Sequence, residues 1–118
     1  MRNDRQNIIV EKVIDFSLAI IRYCEVLNQD RKYVIAKQLL KSGTSIGANV
    51  FEAQNAESRN DFIHKMKIAA KEASETSYWL TLCERSEYYR FDKDLKEKLE
   101  QITMILSRII ASSKNKSY

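Results

Sequence analysis

The chain contains no proline, two glycines, two cysteines and one histidine among its 118 residues. Folds built from strands and tight turns depend on proline and glycine for fixed and positive φ angles, so this composition argues against them. Two cysteines do not make a disulfide framework, and we expect a reduced, cytoplasmic protein. One histidine and two separated cysteines are too few for a zinc site or a di-iron centre, so no metal or other cofactor is expected.

Long uninterrupted hydrophobic runs are also missing. The most apolar region, IIVEKVIDFSLAII from Ile8, is broken by Glu11, Lys12 and Asp15. Such a segment can neither span a membrane nor form the core of a signal peptide, so no membrane association is expected. The chain also lacks a glycine-rich phosphate loop. We expect no small-molecule substrate.

The residues that are present are typical of one globular domain, with 44% hydrophobic and 31% charged residues. We expect residues 1–118 to form a single domain whose ends, 1–6 and 114–118, are frayed. Apolar residues recur at spacings of three and four in four segments, as in amphipathic helices. These segments run from Asn7 to Leu27, from Lys32 to Ala56, from about Ser58 to Cys83, and from Asp92 to Ile109.

The four segments predict an all-α fold. Ser58 and Asp61 have the spacing of a capping box, and Asp92 is a candidate cap for the fourth helix. Short connections make consecutive helices antiparallel neighbours, so the predicted fold is an antiparallel up-down-up-down four-helix bundle. The predicted core positions are Ile9, Val13, Phe16, Ile20, Tyr23 and Leu27, then Ile35, Leu39, Ser42, Ile46, Asn49 and Ala53, then Phe62, Met66, Ala69, Ala73, Thr76, Leu80 and Cys83, and finally Leu95, Leu99, Ile102, Leu106 and Ile109.

Two segments carry more apolar surface than one core seam requires. The additional residues are Val10, Ile14, Ile21 and Cys24 in the first segment, and Ile68, Trp79 and Leu82 in the third. Uncovered apolar faces usually indicate self-association, so we expect a homo-oligomer. The alternative is that these residues only widen the core-facing side of each helix.

Both glycines lie in SGTSIGAN, inside the second predicted helix. Each costs a helix interior about 1 kcal/mol relative to alanine. Gly43 and Gly47 therefore indicate that another helix, of the same subunit or of a second one, packs closely against this helix. The alternative is a local kink, where serine and threonine hydroxyls compete for backbone hydrogen bonds.

Two blocks of the sequence, LLKSGTSIGANVFEAQNAES and DFIHKMKIAAKEASETSYWLTLC, carry a family resemblance. They resemble the four-helix-bundle proteins encoded in 23S rRNA intervening sequences, a group that is also similar to the accessory variability determinant of diversity-generating retroelements. The resemblance covers Val34–Cys83 closely and implies a ring of five subunits without catalytic activity. For the retroelement relative it implies a basic surface that engages reverse transcriptase and nucleic acid. The matching positions that we assign to packing and assembly are Gly43, Gly47, Asn49, Glu72, Glu75 and Trp79.

The net charge of +4 favours an anionic partner, and we expect RNA or a nucleic-acid-associated protein. Like-charged pairs four residues apart, such as Lys67 and Lys71, destabilise a helix slightly unless phosphates neutralise them. The alternative is a solvated face whose repulsion is screened by salt. The residues predicted to contact nucleic acid are Lys37, Lys41, Arg59, Lys65, Lys67 and Lys71.

One motif indicates a different function. RNDFIH places Arg59 five residues before His64, a pattern that resembles HEPN-type ribonucleases, in which these residue types act on the scissile phosphate and the ribose hydroxyl. On one regular helix the two side chains point about 140° apart, so their convergence would need a partner subunit. Our leading hypothesis is a non-enzymatic, homo-oligomeric assembly protein with a basic face. The ribonuclease is the alternative, and a scaffold that contacts only protein is a third possibility.

Overall fold

The computed structural model describes residues 4–115 of the chain. Within that range it contains four α-helices and no strand, so the predicted all-α fold is confirmed at this level. The predicted fraying falls partly on residues 1–3 and 116–118, which lie outside the described residues. The helices are α1 (Asp4–Gln29), α2 (Tyr33–Ala53), α3 (Arg59–Arg85) and α4 (Lys93–Asn115).

The helices pack side by side in cyclic order around one core. Each helix contacts two others: α2 and α4 lie against α1, and the same two helices lie against α3. The described residues form a rod of 54 × 21 × 20 Å. All predicted core positions are buried except Ile35, Asn49 and Phe62, which are half-buried. None of the four helices is long and apolar enough to cross a lipid bilayer.

Side-chain caps fix the starts of α3 and α4. The Ser58 hydroxyl accepts a hydrogen bond from the Asp61 amide at 3.0 Å, and the Asp92 carboxylate accepts one from the Asp94 amide at 3.0 Å. Both predicted caps are therefore confirmed. The predicted end of the second helix at Ala56 is wrong, because amides 54–56 bond to carbonyls only three residues back and form a tighter turn after Ala53.

The turn between α1 and α2 uses no glycine. Arg31 occupies the left-handed position there with a φ of 62°, where glycine is the usual residue. Its amide bonds to the Asn28 carbonyl at 3.0 Å, and the Lys32 amide bonds to the Leu27 carbonyl at 2.8 Å. The two glycines of the chain must therefore have another purpose.

Both glycines lie where α2 contacts α1. A Cβ atom added at Gly43 would lie 3.0 Å from Cγ2 of Ile20, and one added at Gly47 would lie 3.3 Å from the Ser17 hydroxyl oxygen and 3.5 Å from Cβ of Val13. Helix α2 is unbroken through this stretch. The close neighbour, which the sequence left open, is a helix of the same chain.

We expect Gly43→Ala to destabilise the fold by about 1 kcal/mol and Gly47→Ala to be neutral or stabilising by up to about 1 kcal/mol. Both substitutions gain about 1 kcal/mol of helix propensity. At Gly43 the added methyl meets the fully buried Ile20, and overpacking costs about 1–3 kcal/mol. At Gly47 its tightest neighbour is the hydroxyl of Ser17, which can rotate away. Urea unfolding followed by circular dichroism, at matched protein concentration, measures the difference, and equal stability of the two variants would contradict this account.

Candidate interaction surfaces

Ion pairs join three of the four neighbouring helix pairs at their solvent edges. Lys65 contacts Glu52 at 2.9 Å between α3 and α2, Lys96 contacts Glu84 between α4 and α3, and Lys98 contacts Asp15 at 2.8 Å between α4 and α1. Each exposed pair contributes little to stability, on the order of 0–1 kcal/mol. Within the described residues, no ion pair joins α1 to α2.

The solvent edge between α1 and α2 is apolar instead. Its large side chains leave 39–51% of their surface exposed. Between them runs a groove of about 380 Å³, whose floor includes Ser17 and Gly47. The small floor residues let the two helices approach. Ile14, Leu18, Ala48 and Phe51 line the groove, and Ile21 and Leu40 are exposed on the same two helices, so these residues together make up the apolar surface of this edge. We name it the α1/α2 apolar strip, and its residues are Ile14, Leu18, Ile21, Leu40, Ala48 and Phe51.

A second exposed apolar surface lies on α3. Tyr78 leaves 57% of its surface exposed, and Leu82, one turn later, leaves 38%. Tyr78 packs edge-on against the half-buried Trp79 with ring centroids 5.1 Å apart. The Trp79 indole donates to the Glu75 carboxylate at 3.2 Å, which holds the ring in place. We name this surface the Tyr78/Leu82 face.

The additional apolar residues of the first predicted helix differ in their exposure to solvent. Val10 and Cys24 are buried and widen the core, whereas Ile14 and Ile21 are exposed on the α1/α2 apolar strip.

Burial raises the pKa of Cys24 to about 11 and also raises the pKa of Cys83. Both thiols therefore stay protonated near neutral pH, a state that makes a cysteine a poor nucleophile or metal ligand.

Of the predicted packing residues, Asn49 of α2 and Glu72 of α3 are half-buried. The Asn49 amide group donates to the Ser45 carbonyl at 2.8 Å. The backbone carbonyl of Glu72 lies 2.7 Å from the Thr76 hydroxyl. That hydroxyl is also hydrogen-bonded to the Ser42 hydroxyl at 2.9 Å, and both Ser42 and Thr76 are fully buried. This polar pair fixes how α2 and α3 are aligned along the bundle.

The six basic residues predicted to bind nucleic acid do not form one patch. Ser42 on α2 lies level with Thr76 on α3, so Lys41 and Lys37 lie further toward the α3 C-terminus. From the rise of 1.5 Å per residue, Lys37 and Lys41 are about 9–21 Å along the axis from Lys67 and Lys71. All four lysines are exposed.

The other two predicted residues differ from these lysines. Lys65 is neutralised by Glu52, which also raises the pKa of Lys65, so it is a poor candidate for phosphate contact. Arg59 is the first residue of α3 and is exposed. His64 is exposed further along the same helix. The structure thus places the two residues of the ribonuclease motif on one helix, as the sequence predicts.

Lys114 is a basic residue that sequence reasoning did not assign to the site. It lies near the end of α4, and Lys114 with its positive charge lowers the pKa of Lys67 of α3. The sequence shows a lysine in the last turn of a helix, which is common, and it does not show which α3 residue lies opposite. Nor did the sequence place Leu18 and Phe51 on one surface, because they belong to different helices.

Among the described residues, no group of three or more histidine, cysteine or acidic side chains could hold a metal ion.

Known proteins resemble this chain along most of its length. The profile described as 23S rRNA-intervening sequence protein matches residues 5–111. The chain is also similar to a protein of unknown function from the S23 ribosomal protein family of Bacteroides thetaiotaomicron, whose crystal structure was determined at 1.70 Å resolution. The two are 41% identical with a TM-score of 0.85, and the match covers 91% of this chain and 98% of the other. No curated protein matches this chain.

We expect the buried Ser42–Thr76 pair to show energetic coupling. Thr76→Val leaves the Ser42 hydroxyl without this partner and should cost about 1–3 kcal/mol. Ser42→Ala should cost less, because the Thr76 hydroxyl keeps the Glu72 carbonyl as a partner. The double variant removes both hydroxyls, so its loss should be smaller than the sum of the two single losses by at least about 0.5 kcal/mol. Additive losses in urea unfolding would show that the hydroxyls act independently.

Proposed function

Because this chain belongs to the 23S rRNA-intervening sequence protein family, we propose that it is a non-enzymatic, homo-oligomeric assembly protein whose ring presents a basic face to RNA. The observation that carries this proposal is the α1/α2 apolar strip. Its exposed side chains amount to roughly 400 Å² of apolar surface, a size at which patches on monomers are often functional. The other helix contacts are edged by ion pairs, so this strip is the edge best suited to a second copy.

We infer that consecutive helices alternate in direction, giving an up-down-up-down bundle. Along α2 the contacts run from Ser42 to Glu52, while their partners on α3 run backwards from Thr76 to Lys65. The contacts of α1 with α2 and of α1 with α4 reverse in the same way. This arrangement places α1 and α3 at opposite corners of the bundle, in keeping with the absence of contact between them.

The two exposed apolar surfaces support a ring. A closed ring needs a heterologous interface, in which one surface of a subunit meets a different surface of the next. The α1/α2 apolar strip and the Tyr78/Leu82 face meet this requirement, because they lie on different helices. Since α3 is at a corner rather than directly opposite the α1–α2 side, successive subunits would rotate relative to one another, and rotation can close a ring. Five subunits is the number that the family resemblance implies.

The basic side chains support RNA as the partner. Lys37, Lys41, Lys67 and Lys71 are exposed and outside the ion pairs of the described residues. In a ring every such group is repeated around the symmetry axis, so the potentials of the copies add. A relationship to the accessory variability determinant of diversity-generating retroelements, which engages nucleic acid, is part of this proposal.

We expect Leu18→Glu to disrupt the oligomer by placing a charge in the α1/α2 apolar strip. Tyr78→Glu should disrupt it from the other side. In a heterologous ring each variant retains one intact surface, so mixing the two should give a one-to-one heterodimer that cannot grow. Gel filtration with light scattering measures the masses of the wild type, of each variant and of the mixture.

Two outcomes would contradict this assembly. A wild-type protein that is monomeric in solution would contradict the proposed homo-oligomer. A Tyr78→Glu variant with the mass of the wild type would mean that the strip binds a second strip, which is an isologous contact that makes a dimer rather than a ring. Glu11→Gln changes an exposed charge on α1 outside both surfaces, and this matched control should leave the mass unchanged.

We expect the wild type to bind single-stranded RNA and to leave it intact. The logarithm of the binding constant should fall with the logarithm of the salt concentration, with a slope of roughly −0.7 per phosphate contacted. The same RNA samples also test the ribonuclease alternative, because they show whether the RNA is cleaved. His64 is exposed one turn from Lys67. RNA cleavage that disappears in His64→Ala would establish the ribonuclease alternative. RNA binding that does not respond to salt would contradict the proposal that a basic face contacts the RNA.

A further inference from the structure

The outer face of α1 carries a regular row of exposed side chains. Ile14, Leu18 and Ile21 are separated by four and three residues, and Glu25 follows four residues later. All four are exposed. This spacing keeps them on one face of the helix, and it is the spacing by which the helices of a coiled coil contact each other. We name these four residues the α1 stripe.

The outer face of α3 carries a row with the same spacing. Ser74, Tyr78, Thr81 and Arg85 are separated by four, three and four residues. Ser74, Tyr78 and Arg85 are exposed, and Thr81 is half-buried. Because Ser74 is small, it leaves space beside the Tyr78 ring for a large apolar side chain of another helix. We name these four residues the α3 stripe.

The charges that end the two stripes are opposite in sign. Glu25 follows Leu18 by seven residues and Arg85 follows Tyr78 by seven residues, so each charge lies about 10 Å beyond the central side chain of its stripe. Within the described residues, neither Glu25 nor Arg85 forms an ion pair. A contact that aligns the two stripes would therefore give each charge a partner and add electrostatic complementarity to the apolar contact.

The alignment of the helices within one subunit fixes the heights of the two stripes along the bundle. Gly43 of α2 lies against Ile20 of α1, and the adjacent Ser42 is hydrogen-bonded to Thr76 of α3. Since α2 and α3 run in opposite directions, Ile20 is about level with Glu75. The α1 stripe and the α3 stripe therefore lie at similar heights on different sides of the subunit.

These heights suit a closed ring whose axis runs along the rods. Rotation about such an axis moves a subunit without shifting it along the bundle, so α1 of one subunit meets α3 of the next at its own height. In the up-down-up-down bundle α1 and α3 also run in the same direction. Leu18 is then about level with Ser74, and Glu25 lies roughly 6–8 Å along the axis from Arg85, which their two long side chains can span.

We propose that α1 of one subunit packs along α3 of the next subunit in the same direction, with Leu18 seated over Ser74 beside the Tyr78 ring. In this register Glu25 of one subunit pairs with Arg85 of the next. The occupant of the α1 stripe is thus the α3 stripe of a second copy of this chain. This inference rests on the proposed homo-oligomer and adds the direction and register of its contact.

An exchange of charges tests this pairing in a dilution series followed by light scattering. Glu25→Arg places two positive charges together, so it should raise the concentration at which half of the protein is assembled by roughly threefold to tenfold. Arg85→Glu places two negative charges together and should act in the same direction. The double variant Glu25→Arg/Arg85→Glu restores opposite charges and should return this concentration to within about twofold of the wild type.

The double variant also separates assembly from folding. Arg85 lies in the last turn of α3, where a positive charge favours the helix dipole, so Arg85→Glu also weakens the fold. The double variant keeps that loss, and its recovery of assembly therefore cannot come from folding. Glu97→Arg makes the same change of charge at an exposed position of α4, outside both stripes, and should leave assembly unchanged. Unchanged assembly of Glu25→Arg, or no recovery in the double variant, would overturn the pairing.

Engineered cysteines test the direction of the contact. With a short bis-maleimide, Glu25→Cys/Arg85→Cys should give a ladder of covalently linked subunits on a denaturing gel. Lys71 is exposed near the opposite end of the α3 stripe, so Glu25→Cys/Lys71→Cys should give few links. The native Cys24 and Cys83 are buried, and the wild type should give none. Stronger cross-linking through residue 71 than through residue 85 would overturn the parallel direction.

The mass of the wild type distinguishes failure of this contact from failure of the proposed function. If the wild type is oligomeric but the charge exchange gives no recovery, the homo-oligomer stands and this register is wrong. If the wild type is monomeric at every concentration, the proposed homo-oligomer is wrong, and this contact is overturned with it.

Discussion

The close contact between α1 and α2 is the constraint on which the other features depend. Gly43 and Gly47 remove two side chains where Ile20 and Ser17 of α1 need the space. Each glycine weakens the helix by about 1 kcal/mol, and the chain has none elsewhere, not even at the left-handed position that Arg31 occupies. The cost is offset by packing in the core. The same contact leaves a shallow outer edge, where the side chains of the two helices form the α1/α2 apolar strip.

Ion pairs between α2 and α3, α3 and α4, and α4 and α1 each lie at a solvent edge. Near the end of α4, Lys114 and its positive charge lower the pKa of Lys67 of α3. The exposed apolar residues of the α1/α2 edge and the exposed lysines of α3 therefore lie on different helices or edges of the bundle.

Membership in the 23S rRNA-intervening sequence protein family accounts for the fold more completely than for the activity. The solved relative from Bacteroides thetaiotaomicron shares 41% of its residues and is itself of unknown function. The function of this chain must therefore be inferred from the residues at particular sites on its surface. Here the sites are surfaces: the described residues form no metal cluster, and the two cysteines are buried thiols with raised pKa values. These surfaces offer exposed apolar area and lysines that lie outside the ion pairs of the described residues.

The sequence by itself determined the four helices, their core seams and the caps at Ser58 and Asp92, because helical periodicity and capping are local properties of the chain. It also identified the two glycines as a contact. Only the tertiary structure decided that this contact is with α1, that Ile14 is exposed while Val10 is buried, and that Lys65 is paired. The physical reason is that exposure and charge pairing depend on the rotation and alignment of one helix against its neighbour, and these are fixed by packing between residues far apart in the chain.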